Sequence, residues 1–167
     1  MAEKTPNLDG AYGIKASDDN ARLYADWAKT YDASFAAQMH YTLPEAMAEA
    51  FLAAGGSAPV LDLGAGTGLL GQALADRGVL PFDGTDISPQ MIAIAQSKLD
   101  ATSPAQLSFA AQDAARLPEG PHDVILALNL LHLLPDLETV LQQIYDALPS
   151  GGLLIAKTGL LKDGLWL

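Results

Sequence analysis

Two kinds of candidate ligand-binding residues occur in this 167-residue sequence. The first is a turn with alternating glycines, residues 64–68 (GAGTG), where the missing Cβ atoms let bare backbone approach a ligand. The second is a set of polar side chains at the ends of apolar segments: Asp62, Asp86, Asp113 and Asn129. Carboxylates beside a bare backbone turn favour a ligand that carries a cationic group and a sugar diol.

The same turn also fits a second kind of ligand. Residues 66–71 (GTGLLG) match the glycine fingerprint of dinucleotide-binding proteins, and Asp86 lies at a suitable distance for a ribose contact. Asp62, however, places a carboxylate where it would repel a pyrophosphate, and no Lys or Arg occurs between Lys29 and Arg77. Because a helix N-terminus can bind an anion unaided, the charges favour a cationic ligand but leave the dinucleotide open.

The sequence predicts no metal site and no covalent catalysis. It contains no cysteine, so thiolate ligands and thiol nucleophiles are excluded. No Ser-His-Asp set and no phosphate loop with a lysine is evident, which argues against hydrolase and kinase activities. His132 lies in an apolar run and is interpreted as a packed or rim residue, while His40 and His122 have no apparent partner. No residue is assigned a catalytic role.

The elements that position these residues alternate between strands and helices from residue 58 onward. Helices are predicted at residues 67–77, from Ser88 and at 136–148, and strands at residues 59–63, 82–87, 106–111, 124–128 and 153–156. The predicted fold is α/β: a three-layer, Rossmann-like, doubly wound parallel sheet of about five strands in the order 3-2-1-4-5, with an N-terminal helical segment. Ligands bind at the carboxyl ends of such strands, where the candidate residues converge.

Three regions are predicted along the chain. Residues 1–15 form a mobile N-terminus, residues 16–56 a helical lid, and residues 57–167 the ligand-binding Rossmann-like domain. One helix of the lid is expected to start at Thr42, whose spacing to Glu45 is that of a capping box.

Charge and hydropathy limit the partners. The formal net charge is −11 at pH 7, which repels nucleic acids and anionic membranes. The longest apolar run, residues 124–134, is too short to span a bilayer, and the N-terminus has no signal-peptide pattern. The sequence therefore predicts a cytoplasmic protein with a small-molecule substrate, no nucleic-acid partner and no membrane.

Four short segments form one recognisable pattern: residues 61–68 (LDLGAGTG), 84–91 (GTDISPQM), 112–114 (QDA) and 148–152 (LPSGG). In this order they resemble motif I, the segment after the second strand, the adenine-contact loop and the turn before the fifth strand of class I S-adenosylmethionine-dependent methyltransferases. The resemblance runs from about residue 58 to about residue 157. It implies S-adenosyl-L-methionine as cofactor and in-line methyl transfer to a small molecule as the activity.

The resemblance also implies roles for individual residues. The glycines of the turn would let the backbone approach the methionine portion of the cofactor, Asp62 would anchor its amino group, and Asp86 would accept from both ribose hydroxyls. The adenine contacts would fall to residues 87, 91, 113 and 114, and Asn129 would face the methionine portion or the substrate. The implied cofactor-binding residues are Asp62, Gly64, Ala65, Gly66, Gly68, Asp86, Ile87, Met91, Asp113, Ala114 and Asn129.

The end of the sequence departs from that family's pattern. Family members usually continue past strand five with a helix and an antiparallel hairpin, whereas this sequence stops at Leu167. We therefore expect either a fragment of a longer protein or an edge of strand five that pairs with a second copy in a homodimer. Two alternatives to an active methyltransferase stay open: a cofactor-binding module without catalysis, and an NAD-dependent oxidoreductase.

Overall fold

The computed structural model describes residues 42–158 and, beyond them, the backbone of two short strands. Its helices are α1 (Leu43–Ala53), α2 (Leu69–Ala75), α3 (Pro89–Ser97) and α4 (Leu137–Ala147), with a 3-10 turn at Leu131–Leu133. Its strands are β1 (Val60–Leu63), β2 (Phe82–Asp86), β3 (Leu107–Ala111), β4 (Val124–Leu128), β5 (Leu153–Lys157), β6 (Leu161–Lys162) and β7 (Leu165–Trp166). The predicted mobile N-terminus and the part of the predicted lid up to residue 41 lie outside the described residues.

Strands β1 to β5 form one parallel sheet in the order β3-β2-β1-β4-β5. This confirms the predicted fold, and each predicted strand differs from the observed one by at most one residue at an end. β1 lies at the centre and pairs along its whole length with both β2 and β4. Strands β6 and β7 pair with each other in an antiparallel ladder that is separate from the large sheet.

The two faces of the sheet bury different apolar clusters. On one face, α1, α2 and α3 pack against the sheet and bury residues such as Phe51, Leu74 and Phe82. On the other face, Val140 and Ile144 of α4 pack against side chains of β1 and β4. Burial on both faces explains why β1 and β4 read as nearly continuous apolar runs. None of the helices that the structure describes is long and apolar enough to cross a membrane.

The ring of Phe109, on β3, occupies space that neighbouring glycines leave open. An ideal Cβ at Gly84 would lie 2.5 Å from Cδ1 of Phe109, closer than real Cβ atoms come. Cβ atoms at Gly68 and Gly71 would lie 2.7 Å and 3.0 Å from Cζ of the same ring. The ring also meets Phe82 edge-on, with the ring centroids 6.3 Å apart. These glycines therefore set how closely α2 approaches β2 and β3.

One predicted helix cap is confirmed and another is wrong. The Ser88 hydroxyl accepts a hydrogen bond from the Met91 amide at 3.3 Å, which starts α3 as predicted. Thr42 precedes α1 but makes no side-chain cap hydrogen bond, so the capping box expected with Glu45 does not form. The Glu45 carboxylate instead accepts a hydrogen bond from the Arg77 guanidinium at 2.6 Å, just beyond the end of α2.

Gly84→Ala is expected to destabilise the fold by about 1–3 kcal/mol, the usual cost of overpacking a core. The new Cβ would overlap the Phe109 ring, and that ring is held between α2 and Phe82 with little room to move. Urea unfolding followed by circular dichroism measures the change. In the double variant Gly84→Ala/Phe109→Leu the ring is gone, so the loss should be smaller than the sum of the two single losses. Additive losses would contradict this packing.

Candidate functional site

A cavity of about 380 Å³ lies at the carboxyl ends of the strands, beside the turn that follows the central strand β1. The sequence-predicted residues that line it are Asp62, Gly64, Ala65, Gly66, Asp86, Ile87, Met91, Asp113, Ala114 and Asn129. Gly68 is not among the lining residues, because its Cα faces Phe109 and Ala95 in the core. The structure thus brings nearly all the predicted positions to one cavity.

The turn after β1 presents backbone to the cavity. The amides of Gly64 and Ala65 both donate to the carbonyl oxygen of Thr85 at 2.8 Å, which ties the turn to β2. Gly66 has a φ of 56°, the left-handed conformation that favours glycine. A Cβ added there would meet no other atom within 4 Å. The surface of the turn is therefore open to a ligand.

Asp86, at the end of β2, holds this turn in place. One carboxylate oxygen accepts from the Gly66 amide at 3.0 Å and the other accepts from the Ser88 amide at 2.8 Å. Burial raises the pKa of Asp86, and these two hydrogen bonds oppose that rise. Each carboxylate oxygen has a second lone pair, so Asp86 can still accept hydrogen bonds from a ligand in the cavity.

Asp62, on β1, differs from Asp86 because no backbone amide donates to its Oδ1. Its side chain is 2% exposed and lines the cavity, and its Oδ1 has no hydrogen-bond partner among the described residues. Burial, together with the charge of Asp86, raises the pKa of Asp62 to about 8. A cationic hydrogen-bond donor that enters the cavity would satisfy this oxygen. The arrangement therefore fits a ligand with an ammonium group.

The loop after β3 forms another wall. Asp113 is exposed, and its carboxylate accepts from the Ala115 amide at 2.9 Å, while Ala114 is buried. At the start of α3, Met91 is buried, and Ile87, just before the helix, is half-exposed, at 50%. An acceptor on Asp113 and apolar surface on the other three can hold a flat heterocycle that carries an amino group.

At the end of β4, Asn129 has a φ of 52°, rare for a residue other than glycine. Its amide N–H donates to the Lys157 carbonyl at 2.6 Å, and the Lys157 ammonium donates to Asn129 Oδ1 at 2.7 Å. Asn129 lines the cavity as predicted, but its side-chain oxygen is already bound to β5. The end of β5 therefore positions this part of the cavity wall.

The two histidines of the described residues, His122 and His132, do not line the cavity. His132 is partly buried, and its Nδ1 lies 2.9 Å from the Thr158 hydroxyl. Burial and then the charge of Lys157 lower the pKa of His132. His122, predicted to have no partner, is buried with its Nε2 3.6 Å from a carboxylate oxygen of Asp83, so that prediction was wrong. The pairing joins residues far apart in the chain, which a sequence pattern does not reveal.

Half of the lining residues that were not predicted follow β4, where the chain turns into α4. They include Leu130, Leu133, Leu134, Pro135, Asp136 and Val140. Their position directly after a central strand was the available signal, because parallel strands end at one edge of the sheet. They add an apolar wall to a cavity whose other walls are rich in carboxylates.

The charges that line the cavity are of one sign. The ionisable side chains among the described lining residues are Asp62, Asp86, Asp113 and Asp136. Within residues 42–158, no group of His and acidic residues is arranged to hold a metal ion. The cavity therefore favours cationic or neutral organic ligands over anions.

The chain is similar to known proteins over nearly all of the residues that form this cavity. A family model described as "Methyltransferase domain" matches residues 61–154, from the second residue of β1 to the second residue of β5. Phosphoethanolamine N-methyltransferase 2 of Caenorhabditis elegans is 28% identical over 95 residues, 56% of this chain and 22% of that protein. Methyltransferase-like protein 27 of Homo sapiens is 29% identical over 135 residues, 78% of this chain and 54% of that protein.

Among solved structures, this chain is similar to magnesium protoporphyrin IX methyltransferase from Synechocystis PCC 6803 with bound SAH. The TM-score is 0.56 and the identity 29%, over 65% of this chain and 52% of that one. This chain thus spans about half or less of the length of each of these three relatives.

Asp62→Asn should change how stability depends on pH. Because the native pKa of Asp62 is raised above its ordinary value, the native state holds a proton that the unfolded state gives up between about pH 4 and about pH 8. The stability linked to this proton is present at low pH and is lost as the pH rises toward 8. The Asn side chain does not titrate. The variant should therefore gain on the order of 3 kcal/mol relative to wild type between pH 5 and pH 8.

Urea unfolding without added ligand at both pH values measures this gain. Leu126→Ala is the matched control, because Leu126 pairs with Asp62 in the sheet and is equally buried but carries no ionisable group. Its cost should be the same at both pH values. A pH-independent difference between wild type and Asp62→Asn would show that Asp62 is ionised in the free protein.

Proposed function

This chain belongs to the methyltransferase domain family, and we propose that it transfers the methyl group of S-adenosylmethionine to a small-molecule acceptor. S-adenosylmethionine is the cofactor, and the cavity beside the β1 turn is its proposed site. The observation that carries this assignment is the buried Asp62 carboxyl, whose Oδ1 lacks a partner among the described residues where the amino group of the cofactor would lie.

Other cavity residues fit the remaining parts of the cofactor. Gly64 and Gly66 offer bare backbone to the methionine portion, and Asp86 offers its second lone pairs to the ribose hydroxyls. The adenine ring would lie against Ile87, Met91 and Ala114, with its amino group donating to Asp113. Asn129 would contact the methionine portion through atoms other than Oδ1, which Lys157 occupies. Gly68 stays a predicted contact that packing in the core makes less direct.

When bound, S-adenosylmethionine would supply a methyl group on a sulfonium: an acceptor nucleophile would take the methyl group in line, and the neutral thioether, S-adenosylhomocysteine, would leave. The residues of this chain would orient the cofactor and the acceptor and exclude water from the site. The apolar wall after β4, with Leu130, Leu133 and Leu134, excludes water from the reacting centre. No side chain is assigned as a base, since one is needed only if the acceptor must lose a proton.

A small acceptor fits the charge of the protein and of its cavity. The net charge of −11 opposes binding of nucleic acids, and the carboxylates that line the cavity oppose anionic acceptors. Two relatives are named for methyl transfer to small compounds, a phosphoethanolamine and a magnesium protoporphyrin. Pairing of the β5 edge with a second copy and a cytoplasmic location stay predictions.

A second candidate function is cofactor binding without catalysis. It is favoured by one observation: among residues 42–158, no histidine, lysine or tyrosine that could take a proton from an acceptor lines the cavity. The oxidoreductase alternative gains no support from the three relatives described above, each of which is named as a methyltransferase or a methyltransferase-like protein. Catalysis, if present, would rest on positioning alone.

Calorimetry with S-adenosylmethionine, S-adenosylhomocysteine and NAD tests the cofactor assignment. The first two should bind and NAD should not. Incubation with S-adenosylmethionine labelled in its methyl group, over a panel of neutral and amine-bearing metabolites, should then give labelled product. Binding without any transfer would favour the second candidate function, and binding of NAD alone would overturn the assignment.

Asp86→Ala should weaken S-adenosylhomocysteine binding by about 1–3 kcal/mol, the range for losing a charged hydrogen-bond acceptor. The variant loses the proposed ribose contact and also releases the Gly66 amide. Calorimetry measures the affinity. Asp83→Ala is the matched control, because Asp83 lies on the same strand but does not line the cavity. Unchanged affinity in a folded Asp86→Ala protein would remove Asp86 from the site.

A further inference from the structure

The feature with the widest consequence is the environment of Asp62. The hydroxyl of Thr85, on the neighbouring strand β2, donates to the backbone carbonyl of Asp62 at 3.4 Å and not to its carboxylate. Oδ1 is left without a partner among residues 42–158, and the side chain is 2% exposed. An ionised carboxylate in such a place loses its hydration and gains nothing in return.

The charged groups around Asp62 do not compensate for the hydration that its carboxylate loses on burial. Side chains alternate along a strand, so Asp62 points to the same face as Val60, toward α1 and α2. Strand β4 and helices α2 and α3 contain no ionisable residue, and the ammonium of Lys98, just after α3, donates to the Thr67 carbonyl at 2.8 Å. From β2, Asp86 adds a further negative charge, and on α1 Glu45 is paired with Arg77 while Glu49 is exposed. The other ionisable lining residues, Asp113 and Asp136, are also acidic.

We propose that Asp62 is a neutral carboxyl in the free protein and loses its proton when the ammonium group of the cofactor binds beside it. This inference rests on the proposed function, since it takes the ligand to be S-adenosylmethionine or its product. The O–H bond of the Asp62 carboxyl breaks, the proton passes to solvent, and the ammonium keeps all of its hydrogens. One buried ion pair replaces one neutral acid, and no other bond changes.

The pKa of Asp62, raised to about 8 by burial, agrees with a protonated side chain in the free protein near neutral pH. An ammonium partner acts in the opposite direction and stabilises the carboxylate. Binding and proton release are therefore linked: affinity should rise by up to about tenfold per pH unit from about pH 6 to about pH 8, then level off.

The linkage makes Asp62 a specificity-determining residue. A nucleoside fragment without the amino acid, such as 5′-methylthioadenosine, offers no ammonium and leaves Asp62 neutral. Its affinity should stay flat over the same pH range. The preference of the protein for the complete cofactor over this fragment should therefore grow as the pH rises.

The test is titration calorimetry of the full chain with S-adenosylhomocysteine at about pH 6.5, in two buffers whose ionisation enthalpies differ. The dependence of the heat on the buffer gives the number of protons released. We expect about one proton per ligand at this pH and fewer above about pH 9, where Asp62 is already ionised. With 5′-methylthioadenosine we expect none.

Asp62→Asn is the matched variant, because Asn keeps the shape of the neutral acid without its proton. It should bind S-adenosylhomocysteine more weakly, with no proton release and no pH dependence. Infrared spectroscopy adds a readout that does not require the variant to bind: the protonated-carboxyl band of the free wild-type protein should vanish with ligand and be absent from Asp62→Asn.

The outcomes distinguish the proposed proton release by Asp62 from the proposed methyltransferase function. Binding of S-adenosylhomocysteine without proton release, or with equal release in wild type and Asp62→Asn, would overturn the role of Asp62 and leave the methyltransferase proposal standing. Absence of any binding by S-adenosylmethionine and S-adenosylhomocysteine would overturn both. Release of a proton by wild type alone would support both.

Discussion

The turn that shapes the cavity depends on one carboxylate. Asp86 ends β2, and its two oxygens accept from the backbone amides of Gly66 and Ser88. The first hydrogen bond holds a residue whose φ is 56°, and the second fixes the chain where it enters α3. Charge-assisted hydrogen bonds of this kind are stronger than neutral ones. The cavity wall and the start of a core helix are thus set by the same side chain.

Two aspartates on neighbouring strands are used in opposite ways. Asp86 accepts from two backbone amides, which oppose the effect of burial on its pKa, and it shapes the site before any ligand arrives. Asp62 is buried with Oδ1 unsatisfied among the described residues, so its charge is disfavoured until a cation is present. The difference comes from position alone, because the residue type is the same. One carboxylate contributes shape and the other contributes selectivity.

The fold and most of the cavity were predictable from the sequence because both follow from backbone patterns. The apolar run at residues 124–128 predicted both ends of β4 correctly, and the Ser88–Pro89 pair correctly predicted the start of α3. The carboxyl ends of parallel strands meet at one edge, so Asp62, Asp86 and Asn129 were expected together. Contacts between side chains far apart in the chain were not predictable. The Asn129–Lys157 and His122–Asp83 pairs depend on tertiary packing, as does the place of Gly68 in the core.

The packing of Phe109 has a consequence for how sequences of this fold can diverge. Gly68, Gly71 and Gly84 come from two elements, and each leaves room for the same ring. A side chain at any of the three would overlap the ring, but a smaller residue at position 109 would not free them. Gly68 has a φ of 81°, which disfavours any side chain. A Cβ at Gly71 would still lie 2.8 Å from Phe82, and a Cβ at Gly84 would still lie 2.9 Å from Ala65. We therefore expect sequences of this fold to keep these glycines even where the ring is replaced by a smaller side chain.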